Sequence, residues 1–347
     1  MIYQEIEFHN VDHLEQVEGM AGVRIERFPA FFSRELGMGD RVNGRFRTRR
    51  VHGCELRFIT EAPYYDLCLM AVEEDVDVIV YYGDMMHSKH TLKAGVSTVL
   101  HVEYPPVYKD VDITKLPGGR FAPWVWRILL GMNGNVYYQY LDTYGYGRRP
   151  PRAEEKPEIL WAAYGSSITC GSVTTLYSNS YIEQAAMQLG IDVMNKGLSG
   201  SCFLEPIVGK YLATLEVNVL SLEVGVNMLP FITPDLFEER LRNFLHLVGE
   251  NPTVKKIYVI DLFANRGPIL LNHENGQYLY YDSFREVVKK VVGESGDDRF
   301  TCVNGKEVAR DMTYLSVDLL HPSDQGHIRM GQNLADCIWK DMSYVKK

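Results

Sequence analysis

Ile159-Leu160-Trp161-Ala162-Ala163-Tyr164-Gly165-Ser166-Ser167-Ile168-Thr169 opens the second half of the chain. An uninterrupted apolar run that stops at Gly-Ser-Ser reads as a strand buried on both faces and followed by a turn. From there apolar strands alternate with helical stretches: a helix around Tyr181 to Leu189, a strand Asp192 to Asn195, a helix around Pro206 to Leu215 and a strand Val219 to Val224. A helix Pro234 to Val248, a strand Lys256 to Leu262, a helix Asp282 to Val292, a strand Phe300 to Val303 and a helix Asp324 to Asp341 complete the pattern. Such alternation builds a parallel sheet covered by helices on both faces, a three-layer α/β domain over residues 158–347. Ligands of such sheets bind beyond the carboxyl ends of the strands, so the residues that follow each strand are where chemistry is sought.

The preceding residues have another rhythm. Up to about Tyr146, short runs rich in Val, Ile, Tyr and Phe are broken by Gly, Pro and Asp, as in Leu67 to Val72, Val76 to Tyr82 and Ser97 to Tyr104. These are strand signals, and no helix of convincing length interrupts them. Val125 to Leu130 and Val136 to Leu141 flank Asn133-Gly134, which supplies the positive φ angles of a tight turn and predicts a hairpin. Residues 1–146 therefore read as an antiparallel β-sandwich or jelly roll. The charged, Pro-rich residues 147–157, with Arg148-Arg149-Pro150-Pro151-Arg152, read as a linker.

With 347 residues, 46% of them hydrophobic, the chain can bury more than one core. A net charge of -9 argues against a nucleic-acid partner, whose affinity would need clustered Lys and Arg. The six cysteines include no C-x-x-C pair and read as reduced thiols. No apolar run approaches membrane-span length, and Met1 to Glu7 lacks the basic-then-apolar order of a leader. The expectation is a cytoplasmic protein without a membrane partner, although a removed signal peptide would leave no trace.

Four stretches at strand ends carry candidate chemistry. Ser167 lies in the turn after the first strand, where its hydroxyl can face a cleft; alone, it would read as a helix N-cap. Asn195 to Ser201, after the second strand, contains Gly197 and Gly200 and lets a backbone N–H approach a ligand, though it is also an ordinary glycine turn. Gly225-Val226-Asn227 places an amide after the third strand, where it can donate to developing negative charge or simply form a turn. Asp318-Leu319-Leu320-His321 precedes the last helix, and a carboxylate at that spacing can hold the imidazole Nδ1 and leave Nε2 to take a proton. D-x-x-H alone is a weak signal; the set, in one sheet and in this order, is a stronger one.

These blocks resemble the SGNH, or GDSL-like, hydrolase superfamily over roughly Ile159 to Trp339, and with the strand-rich first half they resemble a branch that carries an N-terminal β-sandwich. The resemblance implies a flavodoxin-like sheet and a serine esterase with Ser167 as nucleophile, Asp318 and His321 completing the triad, and the Ser167 N–H, Gly200 and Asn227 as oxyanion-hole donors. It also implies an ester of a carbohydrate or small metabolite as substrate and no cofactor or metal. Two positions depart from the family pattern: Ser166 stands where Asp precedes the nucleophile, and Met228 stands where Asp often follows Asn. His321 to His327 also looks like the family's last block.

Rival readings are an acyltransferase working through the same acyl-enzyme, and a carbohydrate-binding protein with an inactive hydrolase domain. No G-x-S-x-G occurs, which disfavours an α/β-hydrolase. His87-Ser88-Lys89-His90 reads as a polar loop and not as a metal site; His9, His13 and Glu73-Glu74-Asp75 read as surface. His327 is expected as an exposed or polar-contact helix position. Trp124, Trp126, Tyr137, Tyr138 and Tyr140 read mostly as core, by the period-two alternation of a hairpin. The first half is expected to shape substrate access or a contact between copies in a homo-oligomer, not to supply chemistry.

Overall fold

Alternating apolar and polar residues in the first half do pair as antiparallel strands. The computed structural model of the chain describes residues 1–116, 119–271 and 279–345. Two antiparallel sheets form there. One runs in the order Ile2–Tyr3, Ile6–His9, Glu55–Thr60, Trp126–Leu130, Val76–Tyr82 and Met85–Leu92, with Arg148–Arg149 also on Glu55–Thr60. The other runs His13–Glu15, Val23–Glu26, Asn135–Asp142, Tyr64–Val72 and Ser97–Glu103. Side chains from both, among them Phe8, Leu56, Val78, Ile128, Leu67 and Tyr138, share one core.

The Asn133-Gly134 turn corrects the hairpin expectation. Asn133 does take a positive φ of 93°, as the turn chemistry requires. The strands on either side, however, go to different sheets: Trp126–Leu130 pairs with Glu55–Thr60 and Val76–Tyr82, and Asn135–Asp142 pairs with Val23–Glu26 and Tyr64–Val72. All five residues of Trp126–Leu130 are buried, so this strand needs a neighbour on each edge and cover on both faces. A two-stranded hairpin could not provide that. Other expectations also change here. His87 and His90 lie in the strand Met85–Leu92, not in a loop, and His9 is buried. Trp126, Tyr137 and Tyr138 are core residues, whereas Tyr140 is exposed.

The second half forms a five-stranded parallel sheet in the order Asp192–Asn195, Leu160–Tyr164, Val219–Glu223, Lys256–Ile260, Phe300–Val303. This 2-1-3-4-5 order is the flavodoxin-like one expected. The helices Tyr181–Leu189 and Asp324–Val345 pack together on one face; Pro206–Ala213, Pro234–Gly249 and Tyr281–Gly293 pack in succession on the other. Alternation in the first strand serves both layers: Trp161 and Ala163 join the core beneath Tyr181 and Met330, whereas Tyr164 stacks on Phe244 at 5.4 Å between ring centres. Proline at the first turn starts Pro206–Ala213 and Pro234–Gly249, where its missing N–H costs nothing. Among the described residues no helix is long and apolar enough to cross a membrane.

Two compact units result, with bounds that differ from those read in the sequence. One comprises residues 1–33 and 48–158, the other residues 34–47 and 159–347. Within the second, Arg41 lies over the Phe231 ring at 3.3 Å and Gly44 approaches Ser201. Residues 147–157 are built into the first unit and are not a free linker. Arg149 forms an ion pair with Glu155, whose carboxylate also accepts from Trp124 Nε1 at 2.9 Å and from the Arg152 N–H at 2.7 Å.

The first unit buries a charged cluster in which Glu55 accepts from Arg57 and Arg127. Burial alone would raise the Glu55 carboxyl, but the two guanidiniums hold it down to about 2. Removing one member of such a cluster leaves uncompensated charge, so Glu55→Ala should lower the unfolding free energy by about 3–5 kcal/mol. The depressed carboxyl contributes stability in full above pH 4.5, its value in an unfolded chain, and loses it as pH falls toward about 2. Urea denaturation at a series of pH values would show wild type losing its advantage over Glu55→Gln across that interval; a constant difference would contradict this account.

Candidate active site

The strand Leu160–Tyr164 lies between Asp192–Asn195 and Val219–Glu223, so the segments that follow these three strands leave the sheet side by side. After Tyr164 the chain turns at Gly165 and Ser166. The Ser166 hydroxyl accepts the Ile168 N–H at 3.1 Å and caps the helix Ser167–Cys170, which ends at Gly171 with φ of 86°. That helix is a single turn of four residues, so its dipole adds little at its start. Ser167 itself is buried, 8% exposed.

His321 Nε2 lies 2.8 Å from Ser167 Oγ, and His321 Nδ1 lies 2.6 Å from Asp318 Oδ2. With Nδ1–H directed at the carboxylate, Nε2 is left to accept from the serine hydroxyl. Asp318 Oδ1 accepts from Ser316 Oγ at 2.8 Å and from the Leu320 and His321 N–H groups, both at 2.9 Å. Burial would raise this carboxyl, but the hydrogen bonds from His321, Leu320 and Ser316 hold it well below the usual carboxylate range. The loop is tied further by Ser316 N–H to His321 O at 2.7 Å and by Arg266, which donates to the Asp318 and Leu319 carbonyls. A hydroxyl, an imidazole and an oriented carboxylate so linked can pass the hydroxyl proton to the imidazole as the oxygen attacks an electrophile.

The other two expected residues lie on the neighbouring strand ends. Asn227 is half-buried, and its Oδ1 accepts the Cys202 N–H at 3.0 Å, which turns Nδ2 away as a donor. Gly200 is exposed with φ of 64°, in a loop whose Lys196 and Leu198 N–H groups bond to the Ala163 and Gly165 carbonyls at 2.7 and 2.8 Å. Gly197 in that loop cannot carry a side chain, because a Cβ would come within 2.9 Å of Cys170 Sγ.

Three residues gain contacts that the sequence reading missed. Glu223, 2% exposed at the end of its strand, accepts the Ser166 N–H at 2.6 Å. The signal was present: an acid closes the apolar strand Val219–Glu223 directly before Val224-Gly225. Asp324 accepts from the Thr175 N–H at 2.9 Å and from Asn179 Nδ2 at 3.1 Å. His327 is buried, not exposed; its Nδ1 accepts the Tyr181 N–H at 3.3 Å and its Nε2 donates to the Ser172 carbonyl at 2.9 Å. Away from this site, His87 bonds to Ser88 Oγ and the Glu103 carbonyl, both at 2.9 Å. The described residues contain no group of three or more His, Cys, Asp or Glu arranged to hold a metal ion. All six cysteines are free thiols.

A flavodoxin-like parallel sheet with these residues at its carboxyl edge, in a chain that begins with antiparallel sheets, is the SGNH hydrolase fold with a β-rich domain before it. The profile of the GDSL-like lipase/acylhydrolase family matches residues 156–339, and the chain belongs to that family. Among solved structures, a salicylyl-acyltransferase from a tetracycline biosynthetic pathway superposes with a TM-score of 0.76 at 18% identity, over 98% of this chain and 95% of that one. A family two carbohydrate esterase from Clostridium thermocellum, bound to cellohexaose, gives 0.60 at 15% identity over 85% and 95%. A GDSL-like lipase structure from Bacteroides ovatus gives 0.66 at 15% identity over 97% and 98%. No curated protein shows a significant sequence match to the chain.

Burial lowers the His327 imidazole to about 4, so it is neutral in the folded protein. An unfolded chain takes up its proton near 6.5, and the stability contributed by the neutral ring is therefore complete above pH 6.5 and lost as pH falls toward about 4. The expected result is that wild type exceeds His327→Gln in unfolding free energy at pH 7.5 and that the gap narrows through this window. A gap that widens on acidification would show that the ring is protonated in the fold.

Proposed function

We propose that the protein is a serine esterase that cleaves a carboxylic ester through an acyl-enzyme on Ser167. The observation that carries this reading is the continuous chain from Ser167 Oγ through His321 to Asp318, at 2.8 and 2.6 Å. His321 Nε2 takes the hydroxyl proton as Oγ bonds to the ester carbonyl carbon. Asp318 stabilises the imidazolium, and the Ser167 N–H, the Gly200 N–H and Asn227 Nδ2 face the oxyanion. The tetrahedral intermediate collapses by breaking the bond to the alkoxide, which takes the proton from His321 and leaves as alcohol. Water, deprotonated by the same imidazole, then releases the carboxylic acid. Every group needed lies in residues 159–347, and none of these steps calls for a metal or organic cofactor.

A second reading is supported by the superposition with the salicylyl-acyltransferase over nearly the whole chain. The acyl-enzyme would then be discharged by an alcohol in place of water, with the first half-reaction unchanged. The carbohydrate esterases among the similar structures support acylated sugars as the first substrates to test. A panel of p-nitrophenyl esters and acetylated sugars, with and without an added alcohol, separates these readings. Ester product growing in proportion to the alcohol would favour transfer.

Ser167→Ala should abolish ester cleavage while leaving the melting temperature close to wild type, and a fluorophosphonate should label Ser167. Labelling at Ser166 or Ser201 would transfer the nucleophile role to another serine. For Asn227→Ala, kcat should fall by about 10²–10³ with a smaller change in KM, the usual cost of one lost oxyanion donor. A change confined to KM would place Asn227 against the ground-state substrate instead.

A further inference from the structure

Glu223 is an expensive residue to keep where it is. All five residues of its strand are buried, and the carboxyl group is 2% exposed. An acid in such a place costs several kcal/mol unless its oxygens are used. One of them serves the turn that carries Ser167: Oε2 accepts the Ser166 N–H at 2.6 Å and the Thr169 hydroxyl at 3.2 Å. The two anchors flank Ser167 on either side in the sequence, so the serine backbone is held from both directions. The parallel register brings this about, because Tyr164 pairs with Leu222 and the two strands end together.

The main chain of the same residue faces the other donors. The Glu223 carbonyl accepts from Cys202 Sγ at 3.3 Å, and the Cys202 N–H donates to Asn227 Oδ1 at 3.0 Å. Glu223 thus bonds the turn of Ser167 directly and, through Cys202 two residues beyond Gly200, is connected to the amide of Asn227. The turn is shaped to admit it: a Cβ on Gly165 would come within 2.7 Å of Glu223 Oε2 and 2.2 Å of Thr169 Oγ1. Only glycine lets the carboxyl group reach the Ser166 N–H.

We infer that Glu223 is a positioning residue for acyl transfer, holding the Ser167 turn in the geometry in which its N–H meets the developing oxyanion; this rests on the reading of Ser167 as nucleophile. It touches neither the Ser167 hydroxyl nor the imidazole and acts through Ser166 and Thr169. Oxyanion donors act only if aimed where the charge develops, and displacements of about 1 Å are enough to cost two orders of magnitude. Either protonation state of a carboxyl group offers an acceptor to the Ser166 N–H, so the role needs the acceptor and not the charge. A leucine there would fill the space but leave that N–H buried and unpaired.

The test compares Glu223→Ala and Glu223→Gln with Ser167→Ala by steady-state kinetics on p-nitrophenyl acetate, alongside thermal melting. Glu223→Ala should lower kcat about a hundredfold with KM little changed, because the loss falls on the transition state. Glu223→Gln keeps an acceptor oxygen in the same place and should restore kcat to within about threefold of wild type. If Glu223→Ala shows no cooperative melting, Thr169→Val takes its place, and kcat should then fall about fivefold for the loss of one buried hydrogen bond. Wild-type kcat in the folded alanine or valine variant, or a folded glutamine variant as impaired as the alanine one, overturns the inference while an inactive Ser167→Ala leaves the nucleophile standing. An active Ser167→Ala removes the nucleophile reading, and this inference with it.

Discussion

The site depends on the adjacency of two parallel strands, Leu160–Tyr164 and Val219–Glu223. They are not consecutive in sequence, since Asp192–Asn195 comes between them in the chain and pairs on the other side of the first strand. The reversal of winding direction at this point leaves a crevice at the carboxyl ends that no crossing helix covers. Ser167 follows the first of these strands and Asn227 the second. Glu223 spans the gap beneath them because strands in register end at the same height. A different strand order would leave the same residues at strand ends but separated by at least two strand spacings, about 10 Å, beyond the reach of a hydrogen bond.

Carboxyl groups in this protein show how environment sets role. Asp318, on a loop near the surface, is surrounded by donors and is held ionised, which suits a partner for a protonated imidazole. Glu223 is enclosed, and burial raises its carboxyl although Ser166, Thr169 and His321 act in the opposite direction. Glu55 is just as enclosed, yet two guanidiniums outweigh the burial and hold it down to about 2. At Glu205 burial outweighs backbone hydrogen bonds and the Arg240 guanidinium and raises the carboxyl to about 7. The type of residue is the same in three of these cases, and the neighbours decide whether it carries charge.

Much of the second half was legible from local pattern. Helix and strand positions follow from apolar period, from Pro206 and Pro234 at helix starts and from Gly190 at a helix end, because these depend on residues a few places apart. Ser167, Asp318 and His321 were legible through their places after strands and before the last helix, and their spacing puts Asp318 beside His321 along the chain. The sandwich was legible as a class but not as a pairing. Asn133-Gly134 announces a turn, yet whether the strands beside it bond to each other or to strands far away depends on how many buried edges each must satisfy.

By itself the sequence determined the two fold classes, the turn chemistry and which hydroxyl, imidazole and carboxylate groups stand at strand ends and before the last helix, since all of these follow from side-chain type and near-neighbour spacing. Only the tertiary structure decided that residues 34–47 join the second unit, that residues 147–157 are built into the first, and that His327 is a buried brace. It also decided that Glu223 lies under the Ser167 turn, 57 residues away along the chain from the N–H it accepts. Such contacts arise from strand order and layer packing, whose energy comes from surfaces distant in sequence. Local pattern can mark an acid at the end of a buried strand, but not the partner that it meets.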